Sequence, residues 1–280
     1  MIKVTFDTNT FDMATRPQVY AKDPNHADFV KVHEAVKDGR IKGFLCDAIV
    51  TLEGIKVDGR AEVFGSTTLA SNMAREGPET IHLNLRTEQP LRSPLHPKQA
   101  QRFGAALALG MKFLGAPRIG MSRVEVPNAE PYVHETEQEL TARLDRFSNL
   151  AKAIEDRGLG SIQASKPNSS RSGSPMPPKS CRVRGSRLWA PRATFMRRAR
   201  SPAIAEWSDG DSIAAHYGYG NDIFCTGDKA RPGRPSILDA ANRAWLMTEF
   251  GVRFCTIREL ASLRACELSL MQKGIFDSLG

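Results

Sequence analysis

The chain lacks an apolar run long enough to cross a membrane, since a spanning helix needs roughly 18–20 apolar residues. The best candidate, residues 103–115, is shorter and contains Lys112. The N-terminus, MIKVTFDTNT, has no basic stretch followed by an apolar one, so nothing in it predicts secretion. The chain has only 5 cysteines, at spacings that suit neither a zinc site nor a disulfide framework. We therefore expect a reduced, cytoplasmic protein with no membrane partner.

The motifs of several enzyme classes are also missing. A haloacid-dehalogenase-like phosphatase needs an aspartate two residues after Asp7, and Asn9 stands there. A zinc protease needs a second histidine four residues after His33, and Lys37 stands there. The chain contains no phosphate-binding P-loop, no nucleophile elbow and no dinucleotide-binding glycine motif. The sequence therefore gives no support for any of these enzyme classes.

The excess positive charge lies in one block. The net charge is +8, but residues 165–202 contain eight arginines, two lysines and no acid, so the rest of the chain carries −2. The block also holds six prolines and eight serines without apolar periodicity, which predicts a loop or linker. Two other interpretations stay open: a locally shifted reading frame, and an arm that binds the phosphates of a nucleic acid. The candidate nucleic-acid contacts are then Arg182, Arg184, Arg187, Arg197 and Arg198.

Both ends of the chain show the alternation of strands and helices that is typical of an α/β fold. A strand over residues 2–6 is expected to run into a loop at Asp7. Further along, Asp47 is expected to cap a helix, Asp211 to begin one, and Ser236 with Asp239 to cap another. The other expected elements are helices over 27–40 and 257–264 and strands over 43–46, 222–226 and 252–256.

The middle of the chain is less regular. Its clearest element is a helix over 136–157, which begins at a capping box formed by Thr136 and Glu139. We expect a discontinuous core from residues 1–57 and 203–280, with 58–164 as an inserted α+β segment that contributes core helices. Other expected elements are strands over 60–67 and 79–86, which could form a hairpin, a helix over 96–114 and a strand over 118–126.

Four acids follow these elements in an order that suggests a metal site. Asp7 and Asp228 each follow a strand, and in open α/β sheets ligands bind beyond the carboxyl ends of the strands. Glu53 lies on the helix after the second strand, and Asp211 precedes the fourth. Carboxylates gathered at one edge repel each other unless they share a cation, and oxygen ligands favour Mg²⁺ or Mn²⁺. Such a site suits hydrolysis of phosphodiester bonds.

Each acid alone has a structural explanation as a turn former, a helix cap or a solvated side chain. Taken together, their motifs resemble the PIN domain, a family of metal-dependent nucleases. The resemblance covers residues 1–57 and 203–264, under half of the chain. The segments that carry it are VTFDTN at 4–9, LE at 52–53, DSIAA at 211–215, NDIFCTGD at 221–228 and GVRFCTIREL at 251–260.

The resemblance implies a three-layer α/β/α fold around a central parallel sheet, here with an inserted α+β region. It also implies that Asp7, Glu53, Asp211 and Asp228 serve as the catalytic, metal-binding acids. Thr226 and Asn9 match polar residues that support such a cluster. Glu206 and Asp209 lie close enough to Asp211 to compete for the third position.

The function that the resemblance implies is Mg²⁺- or Mn²⁺-dependent cleavage of RNA. The alternative is an inactive PIN-like scaffold that binds RNA or a protein. A partner or inhibitor protein is a possible binding partner in either case. A third alternative is a toxin that its cognate antitoxin holds inactive, although the length of the chain argues against the compact toxin type.

Overall fold

A computed structural model of the chain describes residues 1–48, 68–76, 80–88, 96–116, 131–159, 201–230 and 236–263. Glu53 and the five arginines predicted to contact nucleic acid lie outside these ranges. So do the strands predicted over 60–67 and 118–126, the helix predicted after Asp47 beyond Ala48, and the basic block as far as residue 200.

Seven strands and seven α-helices are defined within the described ranges. The strands are β1 (Ile2–Phe6), β2 (Ile41–Cys46), β3 (Thr68–Glu76), β4 (Thr80–Glu88), β5 (Lys112–Leu114), β6 (Ile223–Cys225) and β7 (Phe254–Cys255). The helices are α1 (Thr8–Thr15), α2 (His26–Lys37), α3 (Pro97–Ala108), α4 (Glu137–Asp156), α5 (Ser201–Gly218), α6 (Ala240–Phe250) and α7 (Ile257–Ser262). A short 3₁₀ helix, Pro17–Tyr20, follows α1.

Five strands form one parallel sheet in the order β5-β2-β1-β6-β7. In this register Phe6 lies beside Leu45 of β2 on one side and beside Cys225 of β6 on the other. Strands β3 and β4 pair with each other as a separate antiparallel hairpin, with Asn72 opposite Asn84. All carboxyl ends of the main sheet therefore meet at one edge.

Each face of the main sheet packs against its own set of helices. Val4 and Phe6 of β1 belong to a core that includes residues of α1, α2, α3 and α7. Phe44 and Phe224 point to the opposite face, where the core includes residues of α4, α5 and α6. Because both faces are covered, the strands are almost entirely apolar, as buried parallel strands are. The predicted three-layer α/β/α class is confirmed.

Several predicted elements are also found. Helix α4 begins with the predicted capping box of Thr136 and Glu139, and α6 is capped by Asp239 and ends at Gly251, which has a positive φ of 67°. A hairpin is present as β3 and β4, and its second strand overlaps the strand predicted over 79–86. Its first strand, at 68–76, begins just after the strand predicted over 60–67, which lies outside the described residues.

Three predicted elements were wrong in detail. The helix predicted over 96–114 ends at Ala108, because Gly110 adopts a φ of 80° and turns the chain into β5. The loop predicted after β1 is instead helix α1, which starts at Thr8. Asp211 does not begin a helix but lies in the middle of the 18-residue α5. Residues 97–116 and 131–159 of the segment expected as an insertion thus contribute β5 to the sheet and α3 and α4 to its two faces.

Candidate functional site

The candidate site lies at the switch point of the sheet, the place between β1 and β6 where the order of strands reverses. Starting from β1, the chain adds β2 and β5 on one side of the sheet and later adds β6 and β7 on the other. In such sheets a crevice opens at the carboxyl ends of the two strands that flank the reversal, here β1 and β6. Asp7 directly follows β1, and Asp228 comes three residues after the end of β6. The topology thus brings together two acids that are far apart in sequence.

Asp7 is a buried carboxylate held by several donors. It is the N-cap of α1, and its Oδ1 accepts a 2.7 Å hydrogen bond from the backbone N–H of Thr8. Its Oδ2 accepts a 2.7 Å bond from the Thr226 hydroxyl and a 3.1 Å bond from the Asn9 side-chain amide. Its own N–H donates to the carbonyl of Cys225. The side chain is therefore fixed in one orientation at the carboxyl end of β1.

Thr226 and Asn9 also form hydrogen bonds with the turn that contains Asp228. The Thr226 hydroxyl, which donates to Asp7, accepts a 3.1 Å bond from the N–H of Asp228. The Asn9 Oδ1 accepts a 2.8 Å bond from the N–H of Gly227. Two side chains therefore join the start of α1 to the turn after β6. Both were predicted to support the cluster, and both contact Asp7 directly.

The electrostatic environment of Asp7 opposes its charge. Burial raises the pKa of Asp7, the hydrogen bond from Thr226 lowers it, and the nearby charge of Asp228 raises it again, with a net upward shift. Asp7 is almost fully buried, whereas the Asp228 side chain is exposed to solvent. The pair therefore consists of one fixed inner carboxylate and one outer carboxylate that solvent can reach.

Asp209 of α5 is the third acid that the structure brings near this pair. Burial raises the pKa of Asp209 well above its usual value, and the neighbouring charges of Asp7 and Asp228 raise it further. Glu206 contributes to the same shift, but its own carboxylate accepts a hydrogen bond from the N–H of Ile237. Glu206 thus anchors the start of the segment before α6, while Asp209 lies within electrostatic range of Asp7 and Asp228.

Asp211 has a different neighbour. It is fully buried, and its charge contributes to the raised pKa of Asp47, which burial brings to about 8. Asp47 follows β2 and accepts a 2.9 Å hydrogen bond from the N–H of Ala116. Because successive helical residues are about 100° apart, positions 209 and 211 lie on nearly opposite sides of α5. Asp211 thus lies within electrostatic range of the end of β2.

Arg243 of α6 is a site residue that the sequence analysis missed. Its Nη2 donates to the backbone carbonyl of Asp228, and its Nε donates to the carbonyl of Leu238 at 2.7 Å. Its guanidinium carbon lies 5.2 Å from the ring centre of Phe254. Burial lowers the pKa of Arg243, and the charges of Asp228 and Asp7 act in the opposite direction. Only its place in the fold identifies it, since the spacing of arginines along the sequence carries no such signal.

A second polar cluster supports α1 on the face of the sheet that α1 itself covers. Asp12 accepts bonds from Arg16 and Tyr20 and forms a 3.4 Å ion pair with Arg102. Arg102 also donates to the carbonyl of Thr8 at 3.1 Å. These partners, chiefly the hydrogen bonds from Arg16 and Tyr20, hold the pKa of Asp12 below its usual value although burial acts against them. Asp12 is therefore a structural acid that fixes the first turn of α1.

The chemistry of the donor set suits a hard cation. Asp7, Asp209 and Asp228 offer only carboxylate oxygens, and their mutual repulsion is the kind that a divalent ion relieves. Among the residues that the structure describes, however, no group of three or more His, Cys, Asp or Glu side chains is already arranged to hold a metal ion. Glu53, which was predicted as a ligand together with Asp7, Asp211 and Asp228, lies outside those residues.

Comparison of the chain with models of known protein families and with curated proteins finds no match. Within the described ranges, none of the helices combines the length and the apolar character that a bilayer-spanning segment requires. The function of the chain is therefore inferred from its fold and from the contacts of the site itself.

Proposed function

We propose that the chain is a metal-dependent nuclease of the PIN type that hydrolyses phosphodiester bonds of RNA. The observation that carries the proposal is the position of Asp7. It is buried at the carboxyl end of β1, held by Thr226 and Asn9, and lies within electrostatic range of two further acids. A carboxylate that is buried, oriented and repelled by its neighbours is costly unless it binds something.

The proposed ligands for Mg²⁺ or Mn²⁺ are Asp7, Asp228 and Asp209, with Glu53 as a fourth. Asp209 takes the third position in this proposal because it lies within electrostatic range of both other acids, whereas the charge of Asp211 raises the pKa of Asp47. When bound, a divalent ion at such a site polarises the phosphoryl oxygen, activates water and stabilises the leaving oxygen.

The chain's own residues supply orientation. Thr226 and Asn9 fix the Asp7 carboxylate, and Thr226 also holds the backbone N–H of Asp228. Arg243 holds the carbonyl of Asp228, so that this exposed acid is anchored through both of its backbone groups. The outer position of Asp228 leaves the open side of the site to an extended polynucleotide. RNA is preferred to DNA only because of the family resemblance. A cytoplasmic location is proposed because the spacing of the five cysteines suits no disulfide framework.

The second candidate function is an inactive PIN-like scaffold that binds RNA or a protein. One observation favours it: the described acids do not form a three-ligand group that is ready for a metal. An inhibitor or partner protein could then cover the exposed turn around Asp228. Cleavage distinguishes the two functions.

The test is cleavage of labelled single-stranded RNA by the full chain in Mn²⁺, in Mg²⁺ and in EDTA, with Asp228→Asn as the variant. A matched control is an aspartate just before the same strand. Asp222 lies at the opposite end of β6, where its carboxylate accepts a 2.8 Å bond from the N–H of Lys3. The proposal predicts metal-dependent cleavage that Asp228→Asn abolishes and Asp222→Asn retains. Equal loss in both variants, or no cleavage by the wild type in either metal, would support the scaffold.

A further inference from the structure

Arg243 donates a hydrogen bond to the backbone carbonyl of Asp228, and its hydrogen bonds leave part of its guanidinium unused. A guanidinium group has five N–H donors. Two of those in Arg243 are committed, one to the carbonyl of Asp228 and one to that of Leu238. The other three form no hydrogen bond within the part of the chain that the structure describes. The side chain is partly exposed, so solvent or a ligand can reach this group.

The orientation of Arg243 is set by its surroundings. The two carbonyls hold Nε and Nη2, and the ring of Phe254 lies 5.2 Å from the guanidinium carbon. The position of the remaining amino group, Nη1, follows from the planarity of the guanidinium. An arginine that is held in this way presents its remaining donors with little loss of side-chain entropy when a ligand binds.

The charges around Arg243 indicate what kind of ligand it can bind. Asp228, Asp7 and Glu259 lie within electrostatic range, yet the described residues show no ion pair shorter than 4.0 Å between Arg243 and any of these carboxylates. Glu259 is already engaged, since its Oε2 accepts the N–H and the hydroxyl of Thr256. The guanidinium therefore lies near these carboxylates but forms no direct ion pair with any of them. Its remaining donors are in a suitable position to bind the anionic group of a ligand.

We propose that Arg243 binds a non-bridging phosphate oxygen of the polynucleotide next to the acidic site. This inference rests on the proposed function for its substrate class, and it adds a residue that positions the chain to be cut. Planar guanidinium groups match phosphate oxygens geometrically, and such contacts are a common use of arginine. A cation at this point also offsets the repulsion that the phosphate would meet from Asp7, Asp209 and Asp228.

The experiment measures RNA binding apart from cleavage. Binding of a fluorescent single-stranded RNA is followed by anisotropy in EDTA, over a range of about 50–200 mM salt. Loss of one phosphate contact to a single strand reduces the slope of log K against log salt by about 0.7. We expect Arg243→Gln to show this reduction together with roughly tenfold weaker binding.

Two further variants keep the result interpretable. Arg40 lies just before β2, at the opposite edge of the sheet, and forms a 3.2 Å ion pair with Asp38, so Arg40→Gln removes the same charge away from the site. Its salt slope is expected to equal that of the wild type. Arg243→Lys cannot maintain both carbonyl bonds but restores the charge, and it is expected to recover most of the slope.

The outcomes separate this inference from the proposed function. If Arg243→Gln lowers the melting temperature but leaves the salt slope unchanged, Arg243 is only a structural anchor and the inference is overturned. Undetectable binding of RNA by the wild type also overturns it. If Arg243→Gln has a reduced salt slope but the wild type never cleaves RNA, the role of Arg243 as a phosphate contact is supported and the proposed nuclease activity is overturned.

Discussion

The hydroxyl of Thr226 donates a 2.7 Å hydrogen bond to Oδ2 of Asp7, although the two residues are 219 positions apart in the chain. The same hydroxyl accepts the N–H of Asp228. Thr226 therefore joins the two acids on either side of the switch point through a single atom. The bond also offsets part of the rise that burial causes in the pKa of Asp7.

We expect Thr226→Val to reduce both activity and stability. Valine has the same shape but leaves the Asp228 N–H and the Asp7 carboxylate without this partner, at a cost of about 1–3 kcal/mol. Loss of a partner that orients a metal ligand reduces activity by roughly 10–100-fold. Urea unfolding and initial cleavage rates in Mn²⁺ provide the two measurements. Thr226→Ser retains the hydroxyl and serves as the control, and equal rates in the serine and valine variants would contradict the role of this bond.

The two acids of α5 should behave differently when they are changed to asparagine. We expect Asp209→Asn to reduce cleavage by at least about 100-fold, because it removes a ligand next to Asp7 and Asp228. Its melting temperature at neutral pH should not fall, since burial and the neighbouring carboxylates raise the pKa of Asp209 and so disfavour its charge.

Asp211→Asn is the matched comparison, because it changes the same type of side chain two residues away on the opposite side of the helix. We expect it to leave cleavage close to the wild-type rate, since the charge of Asp211 acts on Asp47 and Cys46 at the end of β2. If Asp211→Asn abolished cleavage while Asp209→Asn did not, Asp211 would be the third acid, as the sequence pattern first indicated.

The fold was predictable from sequence where local patterns and tertiary packing agree. The apolar runs around Phe6, Phe44 and Phe224 predicted buried parallel strands, and the structure contains them. Capping residues such as Thr136 and Asp239 marked the starts of helices, because their side chains satisfy backbone N–H groups that the helix leaves free.

The prediction failed where a short segment depends on its neighbours. Residues 112–114 form a strand because Phe113 and Leu114 pair with β2 and enter the two opposite cores, which no local periodicity reveals. Asp211 seemed to begin a helix because aspartate is a common N-cap, but α5 already extends ten residues before it. The sequence likewise carried no sign of Arg243, whose position depends on contacts with the turn after β6.

His216 makes the stability of the protein depend on pH. It is buried beside Thr5, with 2.9 Å between His216 Nδ1 and Thr5 Oγ1, and burial lowers its pKa to about 3. Because the unfolded chain takes up this proton near pH 6.5 and the folded chain only near pH 3, stability falls as the pH decreases through that window. Between pH 7.5 and 5 the expected loss is about 2 kcal/mol.

The measurement is urea unfolding of the wild type and of His216→Gln at pH 7.5 and at pH 5. Glutamine loses packing against Phe224 at both values, but it does not titrate. The deficit of the variant relative to the wild type should therefore be smaller at pH 5 than at pH 7.5. An identical deficit at both values would mean that His216 does not resist protonation in the folded protein.

The contact between β2 and the residue before β5 is tight at one glycine. A Cβ placed on Gly43 would lie 2.8 Å from both Cγ and Cε of Met111, which is buried. We expect Gly43→Ala to destabilise the fold by about 1–3 kcal/mol through overpacking. Combining it with Met111→Ala should give a smaller loss than the sum of the two single changes, because the clash disappears. Additive losses in urea unfolding would show that this contact does not limit the packing of β2.

The claim on which the account depends is that the carboxylates at the switch point share a divalent cation. Binding of Mn²⁺ can be measured directly by the loss of the free-ion electron paramagnetic resonance signal, with wild-type protein, Asp7→Asn and Asp222→Asn in parallel. The account predicts that the wild type and Asp222→Asn bind Mn²⁺ and that Asp7→Asn does not, with no loss of folded protein in any sample. Equal binding by Asp7→Asn, or no binding by the wild type, would contradict it.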